Sequence, residues 1–100
     1  MATYSKSTST HQTLAANVVD QVTLTATCTG VVVVDDATSG TIYITYSTTG
    51  QPPPDPAVAG DNTIEVPPGV PTKITFGSAV AGVIVKLVCS AANAYSVEGF

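Results

Sequence analysis

The chain has 100 residues, of which only 10% are charged; it holds three lysines and seven acidic residues, for a formal net charge of −4. This length supports one domain with one modest core. Nucleic-acid binding needs a basic patch that three scattered lysines do not build, so the composition argues against that class of function. No segment approaches a membrane helix, and residues 1–10 lack the apolar run of a signal peptide. We therefore expect a protein made in a cytoplasm, with no membrane partner.

The composition also predicts the fold class. The chain contains 16 threonines, 15 valines and five isoleucines but only three leucines. Side chains that branch at Cβ lose rotamer freedom in a helix and pack well on a pleated sheet. Glycines and prolines recur at short intervals between these segments. The pattern predicts an all-β protein, either a single β-sandwich or a partly closed barrel of about seven to eight short antiparallel strands.

The first half of the chain divides into an arm and three strands. Residues 1–12 hold Ser or Thr at six positions and offer almost nothing to a core, so we expect a flexible N-terminal arm before a β-sandwich domain over residues 13–100. Residues 22–28 alternate apolar side chains with threonine, which predicts a half-buried strand. The aliphatic run 31–34 predicts a strand covered on both faces. In residues 42–46 the even-numbered side chains point inward and Tyr43 points outward.

The second half begins with a proline-rich segment. Residues 50–60 carry Pro52, Pro53, Pro54 and Pro56, which favour an extended, stiff and exposed loop. Short alternating segments then predict strands around residues 64–66, 74–76 and 95–97. Residues 83–89 form the longest inward row, and their opposite face is apolar enough that we expect it to be covered as well.

No arrangement of residues in the sequence indicates catalysis. His11 is the only histidine and falls in the predicted arm, where a catalytic base would not be held in place. Asp35 and Asp36 are adjacent in a strand, so their side chains point in opposite directions and form a poor acid–base pair. The aspartates lack the spacing of a known metal loop. We therefore expect no enzyme activity, no metal and no cofactor.

The two cysteines, Cys28 and Cys89, leave two alternatives open. They could form a disulfide that ties two strands together, or they could be buried thiols that act as small apolar side chains. Neither lies in a metal-binding motif, and a cytoplasmic origin argues against a disulfide. The sequence therefore favours buried thiols.

The predicted outer faces point to protein–protein contacts. They are rich in threonine and poor in charge, whereas a freely circulating monomer carries more surface charge. With so few lysines, little prevents exposed strand edges from pairing with other chains, and binding to a partner would cover these edges. The candidate partner-binding residues lie in the arm, on the face of Tyr43 and in the proline loop: Thr3, Tyr4, His11, Tyr43, Pro52, Pro53 and Pro54.

Three stretches resemble a family of small virion proteins of actinobacterial phages. They are residues 13–24 (TLAANVVDQVTL), 56–69 (PAVAGDNTIEVPPG) and 85–99 (VKLVCSAANAYSVEG). The resemblance implies a β-sandwich that decorates and stabilises the phage head by binding the major capsid protein on its outer surface. It also implies a homo-oligomer, with a trimer favoured and a dimer left open. The segment QPPPDP at residues 51–56 departs from the family, whose corresponding turn is short.

Two alternatives remain at this stage. The first is a phage tail or fibre component with a receptor- or carbohydrate-binding role, for which the outward Tyr43 is the candidate aromatic platform. The second is a secreted adhesion domain, which predicts a disulfide between Cys28 and Cys89. Tail placement predicts few copies per particle, whereas decoration predicts a copy number set by the capsid lattice.

Overall fold

The computed structural model describes all 100 residues and contains nine strands and no helix. The all-β class predicted from the β-branched residues is therefore confirmed. The strands are β1 (Ala2–Lys6), β2 (Ser9–Thr13), β3 (Asp20–Leu24), β4 (Cys28–Asp35), β5 (Ile42–Ser47), β6 (Ile64–Val66), β7 (Thr72–Val80), β8 (Val83–Val88) and β9 (Ala94–Gly99).

The nine strands form two sheets. The five-stranded sheet has the order β1-β3-β8-β5-β6, and the four-stranded sheet has the order β2-β9-β4-β7. Each sheet keeps two edge strands, so neither closes on itself. Every named pair is antiparallel except β1 with β3, which is parallel. The prediction of purely antiparallel strands is wrong for this pair.

The predicted flexible arm is not confirmed, because residues 2–6 and 9–13 are the two extra strands. β1 lies along β3 at the edge of the five-stranded sheet, and β2 lies along β9 at the edge of the four-stranded sheet. Within β2 only Thr10 is buried. An edge strand is held mainly by backbone hydrogen bonds, which need no apolar side chain. The polar composition of this segment therefore did not reveal its structure.

One hydrophobic core lies between the two sheets. Its 16 buried residues come from both sheets and from their connections. The inward row predicted on residues 83–89 is confirmed, since Val83, Val85, Leu87 and Cys89 have no exposed surface. The opposite face of β8 is also buried, as its sequence predicted. Because both faces of β8 are buried, a segment outside the core must cover the outer face of the five-stranded sheet at this strand.

Several strand details differ from the sequence predictions. Residues 22–28 are not one strand, because β3 ends at Leu24 and β4 begins at Cys28. Val32 and Val34 are only half-buried, so the outer face of β4 is not fully covered. Tyr46 lies at the end of the inward row of β5, where 37% of its surface is exposed, and its ring stacks on Phe76 with centroids 6.0 Å apart.

Gly30 allows a close approach on β4. The register between β4 and β7 shifts between Cys28 and Gly30. A Cβ at Gly30 would overlap the ring of Phe100 and the backbone oxygen of Ile74. The Phe100 ring in turn lies under the Lys73 ammonium, whose Nζ is 4.8 Å from the ring centroid. The absence of a side chain at Gly30 therefore lets the C-terminal aromatic ring pack on β4.

Candidate functional site

The proline loop, residues 51–56, is tied to the outer face of the five-stranded sheet. Thr45 donates a hydrogen bond from Oγ1 to the carbonyl oxygen of Pro54 at 2.6 Å. Lys86 on β8 forms an ion pair with Asp55, with Nζ and Oδ1 2.6 Å apart. Thr45 and Lys86 are paired neighbours on β5 and β8. The loop thus lies over Thr45 and Lys86, in the middle of this sheet face.

The prolines of this loop differ in exposure. Pro53 and Pro56 are buried, whereas Pro52 and Pro54 are exposed. The loop predicted to be exposed is therefore exposed only in part, and the buried Pro53 is not a surface contact residue. Proline fixes its own backbone angle and restricts the residue before it, so a loop anchored in this way is stiff. We call the exposed pair Pro52 and Pro54 the proline platform.

The Lys86–Asp55 pair anchors the platform electrostatically. The Lys86 side chain is only 10% exposed, whereas the Asp55 side chain is 63% exposed. A buried ammonium without a partner is costly, which favours the loop conformation that brings Asp55 to it. The aliphatic stem of Lys86 adds apolar contact on the sheet face. This ion pair could not be predicted from the sequence, because the two residues are 31 positions apart.

The structure places two further predicted contact residues on the same sheet face as the loop. Tyr43 is half-buried and lies beside Val88 on β8 and Glu65 on β6. Thr3 is exposed on β1 and lies in the cross-strand row that contains Lys86. Thr3, Tyr43 and the proline platform therefore share one face of the molecule.

Tyr4 and His11, in contrast, line a groove on a different part of the surface. The groove has a volume of about 470 Å³ and is bordered by Tyr4, His11, Gln12, Thr13, Asp36, Ala94 and Tyr95. Tyr4 comes from the five-stranded sheet, where it packs against the core, and His11 comes from the four-stranded sheet. The predicted partner-binding residues thus form two separate surfaces and not one.

A chain of hydrogen bonds runs along one side of this groove. Nδ1 of His11 and Oγ of Ser96 are 2.7 Å apart, and the Ser96 hydroxyl donates to Oδ2 of Asp36 at 2.6 Å. A serine hydroxyl has one proton, and here Asp36 receives it, so His11 must donate through Nδ1. In a nucleophilic serine the histidine accepts the serine proton. This arrangement has the opposite polarity, so it fixes the His11 ring and does not activate Ser96.

A buried carboxylate lies next to this chain. Asp35 at the end of β4 has no exposed surface. Its carboxylate accepts hydrogen bonds from Nδ2 of Asn93, at 3.2 Å to each oxygen, and from the backbone N–H of Ala37 at 3.0 Å. Burial raises the pKa of Asp35, and the hydrogen bonds from Ala37 and Asn93 partly oppose that shift. The same Asn93 amide also donates to the carbonyl oxygens of Ser39 and Gly40. Asn93 therefore closes the loop after β4.

A second buried carboxylate connects the two sheets. The Tyr95 hydroxyl on β9 donates to Oδ2 of Asp20 on β3 at 3.0 Å. Burial raises the pKa of Asp20, and the bond from Tyr95 opposes this shift. Burial, followed by the charge of Asp20, also raises the pKa of the Tyr95 hydroxyl. Tyr95 therefore remains the proton donor, and the pair acts as an internal brace between the sheets.

The two cysteines are free and buried, as the sequence favoured. Cys28 begins β4. Cys89 lies at the other end of that strand, where its Sγ approaches the backbone of Gly40. A strand of eight residues separates its ends by roughly 20 Å, far beyond the reach of a disulfide. The bond that the adhesion-domain alternative requires is therefore not formed.

No group of three or more His, Cys, Asp or Glu side chains lies close enough to hold a metal ion. No helix of the chain is long and apolar enough to span a membrane. Comparisons of the chain with protein families, with curated proteins and with solved structures find no match.

Proposed function

We propose that this chain is a bacteriophage capsid decoration protein that binds the outer surface of the assembled head. In this proposal the two sheets form a β-sandwich, the protein is made in the cytoplasm of the bacterial host, and its partners are the major capsid protein and copies of itself. A trimer is the favoured oligomer. A ligand that binds only the assembled shell stabilises it by mass action, and many symmetric contacts add through multivalency.

The proline platform is the observation that carries this proposal. Pro52 and Pro54 form an exposed apolar contact whose conformation is fixed before binding by Thr45 and by the Lys86–Asp55 ion pair. A preorganised contact loses little conformational entropy on association, which favours protein–protein binding without charge. Tyr43 and Thr3 extend the same face with uncharged side chains. The sequence resemblance to small phage virion proteins supplies the class of partner.

The first test is the copy number of the protein in purified virions, measured relative to the major capsid protein by quantitative mass spectrometry. We expect a ratio of one or a simple fraction set by the capsid lattice. A handful of copies per particle would contradict head decoration and would favour a tail or fibre component with a receptor- or carbohydrate-binding role. Absence from the particle would contradict both assignments.

The second test concerns the platform itself. We expect the double substitution Pro52→Ala/Pro54→Ala to weaken binding to preformed shells by about tenfold, because the loop loses both its apolar contacts and its rigidity. Pro71→Ala is the matched control, since Pro71 is also exposed but lies outside the loop. Sedimentation of labelled protein with purified shells measures the affinity. Equal binding by both variants and the parent would contradict a role for the platform.

A further inference from the structure

The proposed function assigns no role to the groove that Tyr4, His11, Gln12 and Asp36 line. Its border contains one carboxylate, that of Asp36. No lysine lies in its lining, and the chain has no arginine. The whole chain is acidic as well, with a net charge of −4. The carboxylate of Asp36 and the acidic character of the chain therefore favour a cation over an anion in this groove.

The hydrogen bonds inside the protein leave mainly acceptors free in this groove. Oδ2 of Asp36 accepts from Ser96, so Oδ1 remains available. His11 uses Nδ1 to donate to Ser96, which fixes the orientation of its ring beside the groove. Gln12 donates from Nε2 to Oγ1 of Thr10 at 2.9 Å, and its amide oxygen stays free. The carboxylate of Asp36 and the amide oxygen of Gln12 can thus accept hydrogen bonds from a ligand.

An aromatic ring completes the groove. Tyr4 is half-buried and packs against the core, so its ring is held in place. Aromatic faces attract guanidinium and ammonium groups, and arginine also stacks on them through its planar shape. A guanidinium carries five N–H donors and no acceptor, which complements a set of acceptors beside a carboxylate.

We infer that the groove formed by Tyr4, His11, Gln12 and Asp36 binds an arginine side chain of the protein partner. This inference rests on the proposed function, because the arginine has to come from another protein. A second copy of this chain cannot supply it, since the sequence contains none. The groove lies away from the proline platform, so the arginine would give a second and independent contact with the shell.

The experiment uses the full chain labelled with nitrogen-15 and titrated with Nα-acetyl-L-arginine methylamide. The matched probe is the citrulline analogue, which replaces the guanidinium by a neutral urea of nearly the same shape. We expect the arginine probe to cause saturable shifts in the amide resonances of His11, Gln12 and Asp36, with a dissociation constant on the order of 1–10 mM. The citrulline probe should cause no saturable shift.

Two substitutions test the residues that carry the inference. Asp36→Asn should weaken the arginine probe by about fivefold, as expected for one partly exposed ion pair. Tyr4→Leu should weaken it to a similar degree by removing the aromatic face. Asp61→Asn is the control, because Asp61 is an exposed carboxylate of a different cavity. It should leave the binding unchanged.

Several outcomes would overturn the inference. These are equal binding of the arginine and citrulline probes, an equal loss in Asp36→Asn and Asp61→Asn, and tighter binding of the corresponding lysine probe. The failures of the two proposals are also distinguishable. If the protein decorates virions but does not bind the arginine probe, the groove assignment is wrong and the proposed function stands. If the probe binds but the protein is absent from virions, the proposed function is wrong.

Discussion

The substitution Asn93→Ala tests how the loop after β4 is held. In the parent protein the Asn93 amide donates to both carboxylate oxygens of Asp35 and to the carbonyl oxygens of Ser39 and Gly40. Alanine removes all four contacts. The buried Asp35 carboxylate then keeps a single donor, the backbone N–H of Ala37.

The magnitude follows from these contacts. A hydrogen bond to a charged group contributes about 1.5–3 kcal/mol, and a buried acceptor left without a partner costs about 1–3 kcal/mol. Because the two N–H groups of Asn93 are shared among four acceptors, the contacts do not add fully. We expect the free energy of unfolding to fall by about 3 kcal/mol, against a typical total of about 5–15 kcal/mol. A loss of this size lowers Tm by roughly 12–24 °C in a domain of this length.

The assay is urea denaturation of the parent and of Asn93→Ala at neutral and at acidic pH. Asn93 stabilises the charged form of Asp35, so its removal raises the pKa of that carboxyl further. The destabilisation should therefore be largest at neutral pH and should shrink as the pH falls and Asp35 becomes protonated. A loss below about 1 kcal/mol at neutral pH, or a loss that does not depend on pH, would refute the account given for Asn93.

The remaining predictions concern other parts of the fold. Burial raises the pKa of Asp20, so the folded state binds the proton of this carboxyl more tightly than the unfolded state does. The stability that Asp20 contributes is therefore fully present below its unfolded pKa of 3.8. It is lost as the pH rises through the pKa of Asp20 in the folded state. Asp20→Asn should flatten this decline in pH-dependent urea titrations. Gly30→Ala should lower the unfolding free energy by about 1–3 kcal/mol in the same assay, because its methyl group overlaps a backbone oxygen. Lys86→Met should change stability by less than about 1 kcal/mol but should lower the NMR order parameter of the Asp55 amide, because the loop loses this anchor. Both cysteine thiols should resist a thiol reagent until the chain unfolds, and reductant should leave the intact mass unchanged.

Much of the fold could be predicted because strand periodicity is local. The alternation of apolar side chains in residues 83–89 identified a row that is fully buried, and residues 42–44 were placed correctly on β5. Residues 1–12 could not be predicted in the same way. Their strands are held by backbone pairing to β3 and β9, and the edges of those strands exist only after the sheets have formed.

For the candidate surfaces, too, local properties could be predicted from the sequence and long-range contacts could not. The proline segment was identified from its composition, because the restriction of backbone angles is a property of proline itself. The burial of Pro53 and the contacts of the loop with Thr45 and Lys86 could not be predicted from the segment itself, because they involve residues distant in the sequence. The groove was also missed, since its His11–Ser96–Asp36 chain joins residues 85 and 60 positions apart.

The sequence by itself determined the all-β class, the inward rows and the low charge of the outer faces, because these follow from side-chain type and from a period of two residues. Only the tertiary structure decided which strands became edges, which prolines stayed exposed and which acceptors surround the groove. Those features depend on distances between residues far apart in the chain, and such distances are fixed only when the two sheets close over their shared core.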